Sequence, residues 1–291
     1  MNITIHGIGF QKEFIPHIEQ LFKILKDKKV EVSLTDSFSK SLKKIAHVPN
    51  DFDVLQKKAS LSHIDFLISV GGDGTLLDAV CLVGKNEIPI LGINTGRLGF
   101  LATAPKENIE STITALFEKT YSIESRSLLS LDSDSSLFNG LNFGLNEFTI
   151  HKRDTSSMIT VHTYINNQYL NSYWADGLIV STPTGSTGYS LSCGGPLITP
   201  GARNFVITPV SPHNLNVRPI VVSDESEISF EIEGRSEKFL ISLDSRSEAI
   251  DASIKLSVKK AEFSAKLVKF ADYSYFDTLR QKLNWGFDMR N

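Results

Sequence analysis

Residues 2–6 (NITIH) alternate apolar and polar side chains, the period of a strand, and the period then changes: Phe14, Ile18, Leu21 and Leu25 recur at helical spacing. VEVSL at 30–34 restores the strand pattern, so the chain opens β-α-β. A polar stretch follows, ending near Asp53. IDFLISV at 64–70 is then almost wholly apolar, as in a strand covered on both faces of a parallel sheet. After a GGDGT interruption, TLLDAVCLVG has helical spacing, with the helix expected to start at Thr75; IPILGIN at 88–94 is the next buried strand, and KENIESTITALFEK at 106–119 an amphipathic helix. Strand, glycine loop, helix and strand without a gap predict a doubly wound α/β domain over residues 1–120.

From about Tyr121 short alternating segments dominate: NEFTIHK, SMITVHTYI, QYLNSYW, GLIVST, NFVITPV, RPIVV, EISFEI, KFLISL, SIKLSV and FSAKLV. Turn residues such as Asn166-Asn167, Asp224 and Glu233-Gly234 separate them. Their spacing predicts an all-β second domain over 121–270, β-sandwich-like or a curled sheet. YSYFDTLRQKLNWGF returns to helical spacing, and a tail over 271–291 is expected to pack back on the first domain.

Composition narrows the class. Of 291 residues, 41% are hydrophobic and 22% charged, with a net charge of -3, so disorder is excluded and neither a basic nucleic-acid face nor a polybasic membrane patch is expected. The N-terminal MNITIHGIGF lacks the pattern of a secretory leader, and no apolar run approaches the roughly 20 residues that cross a bilayer. A cytoplasmic protein is expected. Cys81 and Cys193 each lie in an apolar or glycine-rich context and read as reduced core thiols.

Candidate chemistry begins at Gly71, Gly72, Asp73, Gly74 and Thr75. Glycines at the end of a buried strand let backbone N–H groups approach an anion, and the following helix adds its positive dipole end. The loop lacks the lysine of a GxxxxGK[ST] phosphate loop, so backbone groups and a metal would have to neutralise phosphates. Asp73 either caps the helix or meets a hydroxyl as general base or magnesium ligand. ILGINTGRLGFL at 90–101, with Asn94 and Gly96, is a second strand-end loop that would lie beside the first; Arg97 in it is either solvated or a transition-state cation.

ADGLIVSTPTGSTGYSLSCGGPLITP at 175–200 exposes many donors and acceptors in a compact loop, which suits a polyhydroxylated, amide-bearing ligand such as a nucleoside. Asn146 and Glu147 begin a β-rich stretch: an amide matches the edge of adenine and a carboxylate can chelate a ribose diol, but their spacing alone favours a solvated strand end. GIGFQKE at 7–13 is half a dinucleotide fingerprint, no GxSxG elbow exists, and the seven histidines show no paired metal spacing.

Together, GGDGT at 71–75, INTGRLGFL at 93–101, NE at 146–147, DGLIVSTPTGSTGYSLSCGGP at 176–196 and SPHNLNVRPIVV at 211–222 resemble the NAD kinase family in order and approximate spacing. The resemblance implies phosphorylation of the 2′-hydroxyl of the adenosine ribose of NAD to give NADP, with ATP or another phosphoryl donor, Mg²⁺ or another divalent cation, and no tightly bound cofactor. It places the proton acceptor at Asp73, with Gly74 beside it. Asn146 and Glu147 are implied to contact adenine and ribose, Asp176 to face the nicotinamide end, and Thr187, Gly188, Tyr189, Ser190, Leu191 and Ser192 to frame the adenosine. It also implies an active site in a cleft between the two domains and a homodimer or homotetramer. Gly188 departs from the pattern, since alanine is commoner there, and a looser contact is expected. A lipid or sphingoid-type kinase shares the GGDGT loop but calls for an apolar acceptor pocket, against the polar Ser/Thr/Gly loop present here. A non-catalytic NAD(P) sensor would have no use for Asp73.

Overall fold

Strand β1, Asn2–His6, buries four of its five residues, and helix α1, Ile15–Asp27, covers it with Ile18, Leu21, Phe22 and Leu25 from one face. The structure, a computed structural model, describes residues 1–45, 52–55, 60–96, 99–102, 104–153, 157–271, 273–284 and 286. Its contacts divide the chain into two units, Met1–Glu124 with Lys266–Asn291, and Ser125–Ala265.

In the first unit, β2 (Glu31–Thr35), α2 (Asp36–Ile45), β3 (Asp53–Leu55), β4 (Phe66–Gly71), α3 (Asp73–Val83), β5 (Ile90–Asn94), β6 (Ala104–Pro105) and α4 (Ile109–Phe117) follow β1. The strands are parallel, in the order β3-β2-β1-β4-β5, with β6 on β5. All residues of β4 and β5 are buried, which explains their unbroken apolar sequence. The order reverses between β1 and β4, a switch point of the kind where open α/β sheets bind ligands beyond the carboxyl ends of their strands.

Helix α2 was hidden in the stretch read as polar. Among its described side chains Phe38 and Leu42, four residues apart, anchor it, set among Ser and Lys residues that dilute the apolar pattern. The expected helix start at Thr75 is corrected to Asp73: Gly72 is the N-cap, and Leu76 N–H donates to the Gly72 carbonyl at 3.2 Å. The tail contributes α6, Tyr275–Leu283, shorter than its sequence pattern because Asn284 turns left-handed at φ 51°.

In the second unit, β9 (Glu147–Lys152) joins a six-stranded antiparallel sheet ordered β14-β13-β12-β9-β16-β17, in which β12 is Gly177–Ser181, β13 Asn204–Val210, β14 Ile220–Ser223, β16 Lys238–Leu243 and β17 Arg246–Asp251. β10 (Ile159–Ile165) pairs antiparallel with β11 (Gln168–Ala175) and β15 (Ile228–Glu233), and β15 with the start of β18 (Leu256–Phe270). Phe148, Ile150, Val180 and Phe205 of the first sheet share one core with Val161, Tyr173, Phe230 and Val258 of the second, as in a sandwich. Asn166 and Asn167 both take positive φ in the two-residue turn between β10 and β11.

The sequence pattern treats SIKLSV and FSAKLV as two strands. They are one 15-residue strand, β18, whose Leu267 pairs with Ile90 in the first unit. It also passes over β7 (Tyr121–Ser133), which pairs with the two-residue β8 (Phe143–Gly144), and over β17, because their charged and serine residues break the apolar count. α5, Tyr189–Ser192, is a single turn. No helix among the described residues is long and apolar enough to cross a membrane, and Cys81 and Cys193 are half-buried thiols outside any disulfide.

Candidate active site

In the first unit the two glycine loops meet because β4 and β5 are neighbours, with Gly71 in register with Asn94. Thr95 N–H donates to the Gly71 carbonyl at 3.3 Å, and buried Asn94 accepts from Gly96 N–H through Oδ1 at 2.7 Å. Asp73 opens α3 at the sheet's carboxyl edge, but its side chain does not cap its own helix. The carboxylate reaches the second loop, where Oδ2 accepts from Phe100 N–H at 2.8 Å and Oδ1 from Leu101 and Ala102 N–H at 3.1 Å each. Gly72 and Gly74 have open space where a β-carbon would stand, whereas one on Gly71 would lie 2.2 Å from Thr75 Oγ1. Arg97 lies outside the described residues.

In the second unit Asn146 and Glu147 stand at the start of β9. Glu147 is in register with Ser181 at the end of β12, and His151 with Gly177 at its beginning. Asp176, which precedes Gly177, and Glu147 are therefore five residues apart along one strand pair, roughly 17 Å. The segment 184–192 spans that interval. Tyr189 N–H hydrogen-bonds to Glu147, and the Tyr189 ring stacks on His151 with centroids 5.5 Å apart. Asn146 is fixed through its backbone, its carbonyl accepting from Thr182 N–H at 2.8 Å, while Thr182 Oγ1 donates to the Leu145 carbonyl at 2.5 Å. A β-carbon on Gly185 would lie 2.1 Å from the Asn146 carbonyl oxygen, so only glycine lets the two segments close.

The side chains in the framing loop differ in availability. Tyr189 and Ser192 are exposed, Thr187, Gly188 and Leu191 half-buried, and Ser190 is internal, its hydroxyl 2.8 Å from Thr208 Oγ1. At Gly188 a methyl would sit 3.2 Å from Glu147 Oε2, so the space that an alanine would fill is bounded by the carboxyl.

The electrostatics centre on Glu147. Burial pushes its carboxyl up to about 8, the nearby Asp244 charge adds to this, and the Tyr189 N–H opposes it. Oε2 is enclosed without a hydrogen-bond partner. Asp176 is 2.6 Å from Lys152 Nζ, a partly exposed ion pair. Burial lowers the His151 pKa against the opposing pull of Asp176. Sequence reasoning missed Asp244, Lys152 and His151; the last two lie inside the NEFTIHKR segment and needed only the register with Gly177 to stand out. Among the described residues no group of three or more His, Cys, Asp or Glu is placed to hold a metal ion.

Comparisons with known proteins bear on both units. A model of the ATP-NAD kinase N-terminal domain matches residues 9–121 and one of the ATP-NAD kinase C-terminal domain matches residues 145–270. A protein of Cytophaga hutchinsonii named NAD kinase is 53% identical over 292 residues, covering all of both chains. The crystal structure of an NAD kinase from Archaeoglobus fulgidus in complex with ATP is 29% identical with a TM-score of 0.75, over 98% of this chain and 99% of that one. Yeast NADH kinase complexed with NADH shares the fold at a TM-score of 0.89 and 20% identity, over 100% of this chain and 89% of that one.

Proposed function

The chain belongs to the ATP-NAD kinase family and transfers phosphate to NAD, and from that premise we propose that ATP is its donor, the adenosine 2′-hydroxyl its acceptor and Asp73 the proton acceptor. The observation that carries the role of Asp73 is its position: a carboxylate at the first turn of α3, at the carboxyl edge of the parallel sheet, between two glycine loops. An ionised carboxylate offers about four lone-pair sites. Three are occupied by backbone N–H groups of residues 100–102, which fix its plane; the fourth accepts the hydroxyl proton as the phosphoryl group moves in line. ATP as donor is supported by the complex of the Archaeoglobus relative. Magnesium arrives as part of that substrate, on its phosphates.

NAD lies on the second unit's loop, with Asn146 and Glu147 toward adenine and ribose, Thr187 to Ser192 framing them and Asp176 toward the nicotinamide end. Oε2 of Glu147, enclosed and unpartnered, supports this because a ribose hydroxyl would complete its bonding. We also propose a cytosolic homodimer or homotetramer, measurable by mass photometry. The lipid-kinase and sensor readings are not favoured, since the full-length relatives are named NAD kinase.

Asp73→Asn tests the mechanism. Loss of the base lowers kcat by about 10²–10⁴, with the KM for NAD changed little in a coupled NADP-formation assay and folding checked by thermal melt. Near-normal turnover would overturn the assignment.

A further inference from the structure

Between β16 and β17 the chain reverses through Asp244 and Ser245, with Leu243 in register with Arg246. Asp244 takes φ 52°, a left-handed conformation that glycine would adopt without strain. Its carboxylate is turned onto the segment before β9. Oδ2 accepts from Leu145 N–H at 2.8 Å, and Oδ1 from Asn146 N–H at 2.8 Å and Glu147 N–H at 3.1 Å. The Asp244 N–H closes the arrangement by donating to the Glu147 carbonyl at 3.0 Å. Gly144 leaves room for this carboxylate, since a β-carbon there would lie 3.1 Å from Oδ1.

We propose that Asp244 is the positioning residue of the nucleotide site, a carboxylate set beneath residues 145–147 that fixes where the Asn146 and Glu147 side chains stand. The inference rests on the reading that this pair binds NAD, and adds a residue that touches no substrate. Three consecutive N–H groups bound to one carboxylate remove the rotational freedom of the peptide units carrying both recognition side chains. Four hydrogen bonds exceed what a two-residue turn requires, and the left-handed strain at Asp244 persists because the surrounding bonds hold it. The charge has a second effect. Asp244 faces Glu147 with Arg246 as its counter-charge, while the Tyr189 N–H is the opposing donor on Glu147 itself. Asp244 thereby favours the neutral acid at Glu147, a form that can donate to a ribose oxygen as well as accept.

Asp244→Asn preserves size and tolerates the left-handed turn, but loses the charge and puts an amide donor against an N–H. We expect the KM for NAD to rise about tenfold with kcat within about threefold. The inflection expected from Glu147 in the pH profile of kcat/KM for NAD, since burial pushes its carboxyl up to about 8, should move to lower pH in this variant. Gly144→Ala crowds the same carboxylate without altering any ionisable group and should raise that KM in the same direction; it carries the test if Asp244→Asn does not fold. A residue with only a structural role would lower the folded fraction, seen as lower apparent kcat, and leave KM and the inflection in place; that result overturns the proposal. Glu147→Gln separates the two levels. If it leaves the KM for NAD unchanged, NAD does not use this pair and both readings fall. If it raises KM while Asp244→Asn and Gly144→Ala do not, the positioning role alone falls.

Discussion

A β-carbon on Gly99 would lie 1.8 Å from Oδ1 of Asp73 and 2.5 Å from its Cγ. No side chain fits without moving the carboxylate or the 100–102 backbone that holds it, so Gly99→Ala should misplace Asp73 while leaving every ionisable group intact. Misplacement of about 1 Å can cost about 10² in rate; kcat in the NADP-formation assay should fall by that order, and an unchanged kcat would show that the Asp73 clamp is not part of the working geometry. At Gly188 the space that an alanine methyl would take is bordered by Glu147 Oε2 and the Gly185 carbonyl, each 3.2 Å from an added β-carbon, which bears on the expectation of a looser contact. Residues whose meaning depends on their immediate neighbours, such as Asp73 among glycines or Tyr189 in a hydroxyl-rich loop, were readable in the chain. Asp244 was not. It lies 98 residues from Asn146, and an aspartate in a hairpin turn is ordinary until the three N–H groups it accepts are known.

Helix α6 has nine residues and buries only Thr278 and Leu279, so its ends matter more than its packing. Ser274 is its N-cap, with Oγ accepting from Asp277 N–H at 3.3 Å. Ser274→Ala should therefore lower stability by about 1 kcal/mol, read as a shifted denaturant midpoint at constant slope, and Ser274→Asp should restore it; an unshifted midpoint for the alanine variant would show that the cap carries no weight. The same scale explains which elements were legible. β4 and β5 announce themselves because both faces are buried, and α1 because four apolar side chains recur on one face. α2 sets its apolar residues among serines and lysines, with Phe38 and Leu42 the buried hydrophobics among its described side chains, and β7 alternates only over part of its length. β18 looks like two strands because Lys259, Lys260 and Glu262 interrupt its centre, where Lys260 pairs with buried Asp224 at 2.5 Å. Charges inside a strand read as a turn until the partner is visible.

The two units carry titrations of opposite sign. In the first, His6 at the end of β1 is buried, its pKa is lowered to about 4 by burial, and its Nε2 has no partner. The unfolded chain binds this proton more readily, so the stabilisation is present above about 6.5 and is lost as pH falls to about 4. At 1.36 kcal/mol per unit of pKa the change is about 3 kcal/mol. In the second, Glu147 is raised from 4.5 to about 8, so its protonated form favours the folded state below 4.5 and that advantage is lost as pH rises to about 8. Between 4.5 and 6.5 the slopes oppose each other. In nucleotide-free protein, the stability measured by denaturant titration should be flat across that interval, fall on the acid side through His6 and fall on the alkaline side through Glu147. His6→Gln should flatten the acid limb and leave stability falling with rising pH from about 4.5, whereas Glu147→Gln should flatten the alkaline limb and leave stability rising with pH up to about 6.5, because each variant uncovers the other group's slope in the shared interval. NAD adds a further dependence. If the nucleotide binds on Glu147, saturating it should alter the alkaline limb and leave the slope of the acid limb as it was. A change of the acid slope alone would place the ligand's linkage on the first unit and contradict the assignment of NAD to Asn146 and Glu147.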